Sequence, residues 1–152
     1  MKLKLNSIIK LVLVAGLMLN LALASTVGFI DVERVFSSYK VTKKAQEEMN
    51  EKLKELKKIE AKKLQELENA KIDGKTQEEL EKMQKEIKEE LDPKRTEFEM
   101  VYQEKLAKIK TSIVSAVESV SKEIGVDVVV DKQVIITGGI DLTDQVVEKL
   151  NK

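Results

Sequence analysis

Between Gly28 and Pro93 one residue, Gly74, is the only glycine or proline, and a thin apolar stripe runs through dense charge on both sides of it. Asp73-Gly74 supplies a residue that adopts positive φ, Thr76 offers an N-cap oxygen, and Glu79 three places on completes a capping box. The chain is therefore expected to reverse at residues 73–75 between two long helices. Upstream, Val41, Ala45, Met49, Leu53, Leu56, Ile59, Leu64, Leu67 and Ala70 recur mostly three and four apart, as an amphipathic helix with a narrow seam requires. Downstream, Leu80, Met83, Ile87 and Leu91 continue the pattern, followed by Phe98, Val101, Leu106, Ile109, Ile113, Val117, Val120 and Ile124. Folding about Gly74 sets Leu67 near Leu80, Leu56 near Leu91 and Met49 near Phe98. The first run, from Lys40 to Ile72, makes a rod on the order of 50 Å long.

Asp92-Pro93 lies inside the second run, where proline removes a helical donor and crowds the preceding turn. A kink or a local break is expected there. Charge makes up 36% of the chain, and on the arm it reads mainly as a solvated helix face.

The ends of the chain have a different character. Residues 1–24 carry Lys2, Lys4 and Lys10, then an apolar run from Leu11 to Leu23, and finish in Ala22-Leu23-Ala24 before Ser25. This is the pattern of a secretory signal peptide cleaved after Ala24; the alternative is a membrane anchor that includes Ile8 and Ile9. Setting that segment aside turns 27 bases against 27 acids into 24 against 27. A near-neutral chain lacks the basic excess of a general nucleic-acid binder, so no nucleic-acid partner is expected. With no cysteine and no histidine, the usual zinc ligands and nucleophile-base pairs are missing. Adjacent acids such as Glu47-Glu48 do not converge on a cleft, and Gly138-Gly139 lacks the pattern of a phosphate loop. Neither an enzyme nor a cofactor is expected.

Val27 to Ile30 reads as a strand, and Val32, Val35, Phe36 and Tyr39 then share one helix face, with Ser37-Ser38 disposed to break it. Gly125 should end the long second helix. Val128 to Val130 and Val134 to Ile136 read as a β-hairpin, Gly138-Gly139 as a turn, and Asp141 or Thr143 as the cap of a last helix bearing Val146, Val147 and Leu150. The fold class is α+β, mainly α: a helical hairpin arm (residues 40–109) on a small three-stranded body (25–39 and 110–152). So few apolar strands leave edges open, and a symmetric oligomer through Val27, Phe29, Val128, Val130, Val134 and Ile136 covers them.

Val27-Gly28-Phe29-Ile30-Asp31-Val32 followed by Arg34-Val35-Phe36, the charged hairpin, Val128-Val129-Val130-Asp131 and the closing Gly139-Ile140-Asp141-Leu142-Thr143-Asp144-Gln145-Val146-Val147 resemble the Skp (OmpH-like) family of periplasmic chaperones. The resemblance implies a homotrimer whose strands form a small barrel. Its helical arms would surround a cavity that holds unfolded outer-membrane proteins in the periplasm without ATP, with transient contact to the membrane surface. It carries over no lipopolysaccharide site. Met49, Met83, Phe98, Met100 and Tyr102 are the candidates for client contact, methionine being adaptable, against the plainer reading that they fill the seam. The rival functions are a coiled-coil envelope spacer or an adaptor, tethered if the N-terminal segment is retained.

Overall fold

The computed structural model describes residues 25–152. The signal-peptide reading, with Ala22 and Ala24, lies outside the described residues; Ser25 is exposed. In chain order the elements are β1 (Val27–Ile30), α1 (Val32–Ser38), α2 (Lys40–Ile72), α3 (Gln77–Ile124), β2 (Val128–Asp131), a short 3₁₀ turn (Lys132–Val134), β3 (Ile140–Asp141) and α4 (Thr143–Asn151).

Serine chemistry and an extended residue separate α1 from α2. The Ser37 hydroxyl donates to the Arg34 carbonyl, α1 stops at Ser38, and Tyr39 takes an extended conformation before α2 begins. At the far end the reversal forms as the residues dictate. Gly74 adopts φ +76°, and the Thr76 and Glu79 side chains reciprocally accept each other's backbone N–H at 3.3 and 2.8 Å. The long α3 ends on Gly125 at φ +79°.

The break expected at Pro93 does not occur, and Asp92 is helical. Pro93 and Glu89, whose carbonyl loses its donor, are both exposed, so water can serve that carbonyl. The Thr96 hydroxyl donates to the neighbouring Asp92 carbonyl at 2.9 Å.

The expected β-hairpin is corrected. β1 is central, and β2 and β3 flank it, both parallel to it; Val27 pairs with Val128, Phe29 with Val130, and Gly28 with Ile140. Val134 to Ile136 form no strand: Asp131 accepts from the Gln133 N–H, curling the chain into the 3₁₀ turn. Gly138 and Gly139, at φ +80° and +92°, then return it to β1.

The core lies under one sheet face. Val35, Leu142 and Val146 are fully buried and pack with Ile30, Val120 and Val126. Neither expected residue holds the N-cap position of α4, which falls to Leu142 without a side-chain cap; Asp141, one place earlier, accepts with Oδ1 from the Thr143 N–H at 2.9 Å and its hydroxyl at 2.5 Å. The Thr143 hydroxyl in turn accepts the Asp31 N–H, tying α4 to the end of β1. Among the described residues, no helix is long and apolar enough to cross a membrane.

Candidate functional site

The arm is built from a seam narrower than the apolar residues alone suggest. Thr42, Ala45, Met49, Leu67 and Ala70 of α2 and Leu91, Ile109 and Ile113 of α3 are buried. On α2 two positions expected in the stripe fall off it: Val41 is exposed while Thr42 is buried, and Leu64 is exposed while Lys63 is partly buried. From Ile59 the helical step of four reaches Lys63, and Leu64 stands about 100° further round.

Ion pairs define how the helices face each other. Glu48 meets Lys105 at 2.6 Å, Glu60 meets Arg95 at 2.8 Å, and Lys63 meets Glu90 at 2.8 Å. This register replaces the expected one by about two helical turns along α3. Phe98 accordingly lies beside Leu56 and Ile59, and Met49 beside Tyr102 and Leu106. The reason is at the tip: residues 73–76 are spent on the reversal, and the exposed first turn of α3 contributes little to the seam. Hydrogen bonds and charge from Lys105 hold the Glu48 carboxyl below its ordinary value, and Lys63 with Lys94 does the same for Glu90.

The narrow seam leaves shallow apolar depressions along the arm. One of about 380 Å³ is lined by Leu64, Leu67, Ile87 and Leu91. A smaller one, about 150 Å³, lies at Leu56, Ile59 and Phe98, and a third, about 360 Å³, at Val41, Ala45 and Ile109 near the root. Lysine or glutamate borders each. Such surfaces offer weak, repeated contact to apolar side chains without selecting one sequence.

The named candidates divide along these lines. Met49 is buried in the seam, Met83 and Phe98 are partly buried, and Met100 and Tyr102 are exposed. The Phe98 and Tyr102 rings stack in parallel with centroids 6.3 Å apart. Leu64 and Val41 join the exposed apolar surface, and only their one-residue offset from the stripe could have revealed it.

On the body a larger open groove of about 530 Å³ runs between sheet, α1 and the upper part of α3, lined by Ile30, Phe36, Ile113, Val117, Val129 and Val130. Val27 and Val128 are exposed, Phe29 is partly buried, Val134 is 70% exposed and Ile136 is 100% exposed. Among the described residues no cluster of acidic side chains could hold a metal ion.

A family model described as outer membrane protein (OmpH-like) matches residues 26–150, nearly all of the described chain. The chain belongs to the OmpH-like family. That family is one of chaperones rather than enzymes. The OmpH-like chain also shares its fold with the crystal structure of a candidate outer membrane chaperone (OmpH-like) from Caulobacter crescentus CB15, at a TM-score of 0.54 and 17% identity over 84% of each chain. No curated protein matches the sequence.

Proposed function

We propose that this OmpH-like chain is an ATP-independent holdase that keeps unfolded outer-membrane proteins soluble in the periplasm. The observation that carries the reading is the row of shallow apolar depressions along an arm that projects from a small body. Many weak contacts hold an unfolded chain without fixing its conformation, and release needs no nucleotide when each contact is individually weak. Family membership and the outer membrane chaperone of the same fold support the client class.

Self-association is part of the proposal. The body bears an open apolar groove and a bare apolar loop at Val134 and Ile136, more uncovered apolar surface than a lone small body tolerates well. Three copies arranged in a ring would cover it and place three arms around one space. The test is aggregation of several urea-unfolded β-barrel membrane proteins diluted with and without the protein, in the absence of ATP. Suppression saturating near one assembly per client is expected, and unchanged aggregation of every client would overturn the reading.

A further inference from the structure

The arm helix α2 starts without a cap of its own: Tyr39 at its N-cap position offers no side-chain hydrogen bond, and its first turn holds no acid. The first N–H groups of a helix need partners. At this helix the partner comes from the far end of the described chain. The Asn151 Oδ1 accepts the Lys40 N–H at 2.9 Å, while its Nδ2 donates to the Ser38 carbonyl at 3.1 Å and to the Val147 carbonyl at 3.0 Å. The Lys40 ammonium additionally reaches the Asn151 carbonyl at 3.5 Å. A single amide thus closes the end of α1, caps the start of α2 and anchors both to α4, spanning the one extended residue between body and arm.

The placement matters because the two arm helices are attached differently. α3 runs unbroken from the arm tip into the body, whereas α2 is interrupted at Tyr39. Tyr39 and Ala45 pack into the core beside Ile109, a non-directional contact, so without a directional tie at the α2 root the arm is a long lever. A rotation of about 10° at the root displaces a tip about 50 Å away by about 9 Å. We infer that Asn151 is a positioning residue: it fixes the root of α2 to the body, so the arm is braced at two points and its direction is set. Both hydrogen-bonding ends of the amide are used, which neither aspartate nor leucine reproduces. The inference concerns arm geometry and goes beyond the holdase reading without depending on it.

The absence of native cysteine allows clean labelling. Spin labels at Lys58→Cys on α2 and Lys122→Cys near the body end of α3, in chains diluted with unlabelled protein, report the arm's direction within one chain. Amide exchange at Lys40 reports the cap. A narrow label distance and a protected Lys40 amide are expected in the parent. Asn151→Ala should broaden the distance and speed Lys40 exchange by about tenfold, with helical content kept. Asn151→Asp, which keeps the acceptor and loses the donor, should retain Lys40 protection while the distance still broadens. An Asn151→Ala chain with an unchanged distance distribution overturns the inference, whatever its exchange. Neither readout involves a client, so failure here is separable from failure of the holdase proposal.

Discussion

Gly28 sits where three neighbours converge: a β-carbon there would lie 3.0 Å from Val126 Cγ1, 3.1 Å from Leu142 Cδ1 and 3.2 Å from the Ile140 carbonyl oxygen. The backbone of β3 cannot yield as a side-chain tip does. Gly28→Ala should cost about 1–3 kcal/mol of body stability, read from urea unfolding. Thr42 presents the opposite case. Its hydroxyl is completely buried with no partner among the described residues, and the Ser38 carbonyl that a helical threonine could reach four residues back already accepts from Asn151. Replacing it with valine removes an unmet donor and keeps the shape, so Thr42→Val should stabilise by about 1 kcal/mol in the same assay. Neither feature is legible in sequence, since Gly28 reads as a weak strand residue and Thr42 as part of a charged surface. Both acquire meaning only from residues over eighty positions away or on another helix.

At the scale of elements, the arm's existence and its turn were readable from Gly74, Thr76 and Glu79, because local chemistry decides a cap. Its register was not: pairing between helices depends on which seam positions fill, and lysines such as Lys63 occupy some of them. The parallel sheet was hidden for a related reason. Val134 to Ile136 have strand composition, but Asp131 turns the chain before they can pair, and the short β3 carries almost no strand signal. Pro93 persists inside an exposed helix at a local cost, so Pro93→Ala should raise arm stability by about 1–3 kcal/mol, seen as slower amide exchange across residues 85–100. The arm should also respond to acid. Glu48 and Glu90 are held below the ordinary carboxylate value of 4.5 by their lysine partners, Glu79 by the Thr76 N–H and hydroxyl. A depressed carboxylate contributes stability that is complete above the unfolded value and lost as pH falls through the folded one. Arm protection should therefore stay level from pH 7 to about 5 and decline below 4.5, with high salt weakening the Lys–Glu share at neutral pH.

For the whole molecule, the body's uncovered surface and the arm's depressions are the two halves of the proposed holdase: the first would gather copies, the second would give the gathered arms something to hold. Ile136, bare on its loop, is the most economical probe of the first half. Ile136→Glu should shift the solution mass toward single chains while leaving helical content intact, because the residue touches no part of the chain's own core. Gly74→Val should do the reverse, straining the tip by about 1–2 kcal/mol and leaving assembly untouched. The measurement that bears most directly on the central claim is the solution mass of the protein mixed with one unfolded β-barrel membrane protein, without nucleotide. The account predicts a soluble particle of three chains and one client. A single-chain mass with the client left in the pellet would contradict it.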